Sequence, residues 1–259
     1  MTKQPIGIFD SGVGGTSIWK EIHTLLPNED TIYLADSFNA PYGLKSKETI
    51  INLSIKNTEH LINKGCKLIV VACNTATTNA IDQLRNTYNV PFIGIEPAIK
   101  PAALQTKTNA IGILATKGTL SSALFSKTSG MFASNVNVIE QVGEGIVELI
   151  ENGKLLSSEM ETLLKAYLKP MIDANIDYLV LGCTHYPYLI PLLVKLLPDY
   201  VKIIDSGEAV ARQTKAILEQ HNLLNIEAKL SKNYFYTNAS PNVMQSLLGS
   251  ELVAEYLDF

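Results

Sequence analysis

Two cysteines, each at the end of a strand-like run, are the residues of this chain best placed to do chemistry. The runs read Leu68-Ile69-Val70-Val71-Ala72-Cys73-Asn74-Thr75 and Ile176-Asp177-Tyr178-Leu179-Val180-Leu181-Gly182-Cys183-Thr184-His185. In both, the thiol stands where a buried apolar strand should give way to a loop. A thiol with an unshifted pKa of about 8.5 reaches both protonation states near neutral pH. Two of them flanking one ligand could take a proton from one face and return one to the other. Asn74 or Thr75 would cap a helix bearing Ala80, Ile81 and Leu84 on its apolar face. That puts Cys73 beside a helix N-terminus and predicts a lowered thiol pKa. Cys183 precedes Thr184 and a helix opening near Pro187. Cys66 lies ahead of its strand and reads as a structural thiol.

Other polar residues cluster near the same strand ends. Asp10-Ser11-Gly12-Val13-Gly14-Gly15-Thr16 follows the first strand, but Ser17 stands where a dinucleotide fingerprint needs its third glycine, and no Walker lysine follows. The Asp10 carboxylate suits an ammonium group or a proton better than a phosphate. Pro41 and Gly43 punctuate the loop Ala35–Gly43, freeing amides near Gly43 for a ligand carboxylate. His185 could exchange a proton with Cys183 or with substrate. His23, His60 and His221 sit in polar helical surroundings and read as solvated. Glu144, Glu148 and Glu151 share one helical face, which defaults to solvent, although one could turn inward. Zinc on Cys73, Cys183 and His185 would lack the close ligand pairs of structural sites, and no Cys-x-x-Cys supports a redox dithiol.

The elements that must position these residues alternate in a βα rhythm, which predicts parallel sheets. Strands are expected at 6–9, 31–35, 68–72, 92–95, 110–114, 136–140, 178–181, 201–204 and 234–236. Helices are expected near 15–26, 46–64, 75–88, 118–132, 143–153, 158–173, 187–197 and 207–221, with Ser46 and Ser157 as caps. A weak repeat links two halves. Ile6-Gly7-Ile8-Phe9-Asp10-Ser11 resembles Ile111-Gly112-Ile113-Leu114-Ala115-Thr116, and the two cysteine strands recur at nearly the same offset. The pattern predicts an α/β chain of two similar open-sheet domains, related by a pseudo-twofold axis and facing each other across a cleft. Ligands of such sheets sit beyond the carboxyl ends of the strands, so Cys73 and Cys183 should share one cleft.

Composition narrows the function classes. The 259 residues carry a net charge of −4, with 46% apolar and 18% charged side chains. That is enough apolar material for two modest cores, and the acidic balance argues against nucleic acid or an anionic membrane as partner. The richest apolar stretch, Leu189 to Leu197, is broken by Pro191 and Lys195, so no membrane span is expected. The first ten residues lack the order of a secretory signal, and an odd number of cysteines suits a reducing cytoplasm.

Asp10-Ser11-Gly12-Val13-Gly14-Gly15, Pro41-Tyr42-Gly43, Ala72-Cys73-Asn74-Thr75-Ala76 and Leu181-Gly182-Cys183-Thr184-His185-Tyr186-Pro187 resemble, in order and position, the signatures of the bacterial glutamate racemases. The resemblance implies residues 1–97 as a first domain, completed by 208–259 after the chain returns, and 98–207 as a second. It implies interconversion of L- and D-glutamate without cofactor or metal, supply of D-glutamate for peptidoglycan, and a homodimer. By the same resemblance Cys73 takes the α-proton of D-glutamate and Cys183 that of L-glutamate. Asp10 assists the first and His185 the second. Asp10, Ser11, Tyr42, Gly43, Asn74, Thr75, Thr116, Thr184 and His185 match substrate-binding positions. Glu151 matches the family's acidic helper, although Gly143-Glu144 replaces the usual Cys-Pro ahead of it and Glu148 is a neighbouring alternative. Thr16 replaces a Leu-like residue. A racemase for aspartate or another acidic amino acid, and a two-lobed protein that binds an amino acid without chemistry, fit the residues themselves.

Overall fold

Runs of Ile, Val and Leu too short to be helices form strands buried on both faces, as parallel sheets require. The computed structural model describes residues 2–227 and 230–259. The strands are β1 (Ile6–Asp10), β2 (Thr31–Ala35), β3 (Leu68–Val71), β4 (Phe92–Gly94), β5 (Ala110–Ala115), β6 (Asn137–Val142), β7 (Tyr178–Gly182), β8 (Lys202–Ile204), β9 (Asn233–Thr237) and β10 (Ala254–Tyr256). They build two separate sheets, ordered β10-β9-β2-β1-β3-β4 and β6-β5-β7-β8. Every pairing is parallel. This is an α/β fold of two open parallel-sheet domains.

The weak repeat is real in three dimensions. β2-β1-β3-β4 and β6-β5-β7-β8 have the same order. Ile6 pairs with Leu68 in the first sheet and Ile111 with Tyr178 in the second, so the similar strands also share a register. In each order the direction of winding reverses between the two central strands, and the chain diverges there to leave a crevice at their carboxyl ends. Asp10 and Cys73 stand at the crevice of the first sheet; Thr116 and Cys183 stand at that of the second.

Alternate residues of the central strands serve different cores. Ile6, Ile8, Leu68 and Val70 pack in a large cluster that also takes Leu179 and Leu181 of β7. Phe9, Ile69 and Val71 point the other way, with Ile50, Leu61, Ile81 and Leu84 of the helices Lys47–Asn63 and Asn74–Thr87. Ile111, Ile113, Tyr178 and Val180 form a third cluster behind the second sheet. After β8 the chain returns, and β9 and β10 extend the first sheet beside β2. No helix among the described residues is long and apolar enough to cross a membrane.

Several local expectations change. The stretch 118–132 is two helices, Lys117–Leu120 and Ala123–Phe132, because Ser122 is extended and its hydroxyl caps the second by accepting from Phe125 N at 3.1 Å. The helix expected from residue 143 begins at Ile146. The helices Ile99–Gln105 and Pro241–Leu248 were concealed by prolines, which read as breakers yet are tolerated in a first turn. β10 is an edge strand of three residues with no buried side chain, too short to show a period. His23 and His60 are half-buried rather than solvated: His23 stacks on Trp19 and His60 lies against Phe259.

Candidate active site

On the first sheet's side, β1 delivers Asp10 into a loop whose backbone turns back upon it. The Asp10 carboxylate, fully buried, accepts from Ser11 N at 2.8 Å, Gly15 N at 2.6 Å and Thr184 Oγ1 at 3.1 Å. Burial nevertheless holds its pKa above the usual carboxylate value, against the pull of His185 and the two amides. Cys73 is itself the cap of the helix Asn74–Thr87, not a neighbour of the cap: its Sγ accepts from Ala76 N at 3.4 Å and donates to Ser11 Oγ at 3.5 Å. The expected lowering of its pKa does not follow. Burial and then the Asp10 carboxylate push the Cys73 thiol well up, outweighing the Ser11 and Ala76 hydrogen bonds. Cys66 is pushed up to about 12 by burial alone among its raising influences, in keeping with a structural thiol.

On the second side, Cys183 follows β7 and lies 3.7 Å from His185 Nδ1. The other ring nitrogen, Nε2, meets Glu151 Oε1 at 2.6 Å. Glu151 also accepts from Val13 N at 2.7 Å, so a carboxylate of one domain is held by the glycine loop of the other. Burial lowers the His185 pKa, but the Cys183 sulfur and the Glu151 carboxylate together hold it well above 6.5. Of the acidic face, Glu151 turns inward to His185 while also edging the outer cleft, and Glu148 lines the clefts outside.

The glycine loop has a use other than phosphate binding. A Cβ on Gly14 would sit 2.6 Å from the His185 backbone N and 2.5 Å from its Cγ, and one on Gly12 would lie 2.7 Å from Glu151 Cδ. Neither glycine has a positive φ, so the requirement is for space rather than for a special backbone conformation. Two further contacts join the domains here. Ser17 Oγ donates to the Thr184 carbonyl at 2.9 Å. Thr16 Oγ1 donates to the Val13 carbonyl at 2.6 Å, so its 2.6 Å contact with Tyr188 is a hydrogen bond donated by the tyrosine.

One cavity, of about 10 Å³, is lined from the first domain by Ser11, Tyr42, Gly43, Cys73, Asn74 and Thr75. Thr116, Val147, Cys183, Thr184 and His185 line it from the second. That is room for about one water, so an amino acid enters only if the halves part. Both polar atoms of the Asn74 side chain are buried without a protein partner, ready for a ligand. Thr75 Oγ1 meets Thr116 Oγ1 at 2.8 Å, and Thr116 meets Thr119 at 3.0 Å, a hydroxyl chain across the seam. Tyr42 presents its ring but not its hydroxyl. The hydroxyl donates to Asp36 Oδ2 at 2.5 Å and accepts from Asn57 Nδ2 at 3.1 Å.

The profile of the Asp/Glu/Hydantoin racemase family matches residues 6–214. The chain belongs to that family. Its racemase relatives include the glutamate racemase of Ectopseudomonas mendocina, 47% identical over 248 residues, covering 95% of this chain and 94% of the relative. The glutamate racemase isoform RacE1 of Bacillus anthracis superposes with a TM-score of 0.89 at 31% identity, over 100% of this chain and 98% of that one. The Francisella tularensis glutamate racemase, solved with D-glutamate, gives 0.85 at 32% identity, over 100% and 98%. This racemase is therefore an isomerase.

Of the expected site residues, Ser11, Tyr42, Gly43, Cys73, Asn74, Thr75, Thr116, Cys183, Thr184 and His185 line the small cavity, and Asp10 and Glu151 hydrogen-bond to residues that do. Missed were Asp36, Thr119, Val147, Tyr188 and the contact role of Gly12 and Gly14. Asp36 carried a signal, because a carboxylate directly after an apolar strand needs partners if it is buried. It is fully buried and accepts from Asn39 Nδ2 at 2.8 Å, Asn238 Nδ2 at 2.6 Å and Tyr42 OH, binding the Tyr42–Gly43 loop to the returning segment. Asp36→Asn removes a charge-assisted acceptor worth about 1.5–3 kcal/mol per bond. The expected result is KM raised about tenfold or more, for about 1.4 kcal/mol per factor of ten, with a smaller change in kcat. Steady-state kinetics with an unchanged KM would refute this role.

Proposed function

We propose that this racemase interconverts L- and D-glutamate by a two-base mechanism carried by Cys73 and Cys183. The observation that carries the reading is the equivalent position of the two thiols: each ends a central strand of its sheet, and both line one cavity. Glutamate as substrate is supported by the glutamate racemases among the relatives and by the D-glutamate in the Francisella tularensis structure. The two domains comprise residues 1–97 with 208–259, and 98–207.

A single base tends to return a proton to the face it left, so inversion is best served by two. In the L-to-D direction the Cys183 thiolate takes the α-proton and the Cys73 thiol delivers one to the opposite face; the reverse direction exchanges the roles. His185, held by Glu151, stands beside Cys183, and Asp10 stands beside Cys73. The raised basicity of Cys73 makes its thiolate a stronger proton acceptor than an ordinary thiolate once formed. Negative charge building on the α-carboxylate meets first-turn amides of the helix Asn74–Thr87 with the side chains of Asn74, Thr75 and Thr184. Burial of the cavity strengthens each of these contacts as the halves close. The chemistry asks for no cofactor or metal. The reading extends to a cytoplasmic homodimer supplying D-glutamate for peptidoglycan.

Heavy water tests it directly. With L-glutamate, the D-glutamate formed early should carry deuterium at Cα while recovered L-glutamate carries little. Deuterium entering both at the rate of turnover would replace the two thiols with one base open to solvent. A panel of L- and D-amino acids followed by chiral separation tests the substrate, and racemisation of aspartate in preference to glutamate would overturn it.

A further inference from the structure

The two thiols differ in what lies behind them. Behind Cys73 are Ser11 and Asp10, and Asp10 is fully buried. Behind Cys183, His185 is 1% exposed, but the Glu151 side chain beyond it is 13% exposed. Glu151 forms a wall of a separate cavity of about 360 Å³, between Ser37, Pro41, Glu148, Ala239 and Val243. Asn152 and Ser240 on its rim are exposed, so the cavity meets solvent. It is large enough for many waters, whereas the cavity holding the thiols takes about one.

We infer that Glu151 is a proton port, which exchanges the proton on Cys183 with solvent through His185 while the domains are closed and leaves the proton on Cys73 sealed in. The inference rests on the two-cysteine reading above. In the outward direction the Cys183 S–H bond breaks as His185 Nδ1 gains the proton. The proton on His185 Nε2 passes to Glu151 Oε1, and from there to a water in the outer cavity. Cys183 is left as thiolate, His185 neutral and Glu151 ionised, and one hydronium leaves. The inward direction is the reverse. The geometry is continuous: 3.7 Å from sulfur to Nδ1 and 2.6 Å from Nε2 to the carboxylate. His185 is held basic enough to accept the proton by the same two neighbours. Glu148 on the same cavity wall adds a second carboxylate where the proton emerges.

The port gives the two substrates different fates in heavy water. A proton taken from L-glutamate by Cys183 can be exchanged before it returns; one taken from D-glutamate by Cys73 cannot. The experiment measures deuterium at Cα of the unreacted substrate, per turnover, starting from each enantiomer. Entry into L-glutamate should stay well below the rate of turnover, as the two-base reading requires, yet exceed entry into D-glutamate several-fold. Val243→Phe, which fills the outer cavity without touching the relay, should reduce entry into L-glutamate to the D level. Glu151→Gln, which keeps a side chain of the same shape but cannot pass the proton on, should remove the asymmetry and slow turnover. Equal entry from both enantiomers in the unaltered enzyme, with racemisation intact, overturns the port and leaves the function standing. So does an asymmetry that survives both substitutions. Failure to racemise glutamate at all sinks both readings.

Discussion

Cys73→Ala and Cys183→Ala should each reduce glutamate racemisation by at least about 10³-fold, within the range that a positioned acid or base contributes. In the two-base reading proposed above, each thiol transfers the proton on its own face of the cavity, and the opposite thiol cannot reach across a substrate that fills it. The loss should be in kcat with the fold intact. Removing the Cys73 sulfur costs the cap of the helix Asn74–Thr87, about 1 kcal/mol, and a small cavity, so the variant remains folded by circular dichroism. Serine is no rescue, because its hydroxyl does not ionise near neutral pH. Chiral chromatography of long incubations is the measurement. Turnover above about one per cent of the parent's in either alanine variant would exceed what a missing proton-transfer group permits and would remove that cysteine from the mechanism.

Gly14→Ala should be the most damaging substitution of a residue that touches no substrate. The added methyl meets the His185 ring and its backbone N at 2.6 Å, and backbone cannot swing aside as a side-chain tip can. Relief requires the second domain's 183–185 loop to shift or the domains to stay parted. Overpacking of this kind costs about 1–3 kcal/mol, and a shift of about 1 Å in a catalytic group can cost about 100-fold in rate. Gly12→Ala makes the contrast, because its methyl meets the far end of the Glu151 side chain, which can rotate. The expected order of kcat/KM is parent, Gly12→Ala, Gly14→Ala. Equal activity of the Gly14 variant and the parent would show that His185 has more freedom than its packing allows.

The fold was legible wherever one physical rule decided the outcome. Apolar runs such as Leu68–Val71 and Tyr178–Leu181 are too short for helices and too apolar for solvent, and the Ile6 and Ile111 repeat points to a second, similar sheet. Elements that depend on distant partners were not legible. The edge strand β10 exists only because β9 is beside it, and the returning segment reaches the first sheet through a pairing with β2. The site divided in the same way. Residues ending the central strands could be found, since the chain must leave the sheet there. Contacts across the cleft could not, because nothing in the Gly12-Val13-Gly14 triplet names the Glu151 and His185 side chains it accommodates. The raised pKa of Cys73 is hidden from the sequence for a related reason: the helix terminus is visible there, but burial and the approach of Asp10 are properties of the packed chain.

Because the Cys73 sulfur accepts the Ala76 amide, the first turn of a helix feels the charge on that sulfur. A thiolate is a stronger acceptor than a thiol, and a negative charge at this end also complements the aligned peptide dipoles. If Cys73 cycles between thiol and thiolate as proposed, each turnover alternately tightens and slackens the segment carrying Asn74 and Thr75, gripping harder when the sulfur is ready to seize a hydrogen and easing once it has one. Reactivity and rigidity at this end of the molecule rise and fall together.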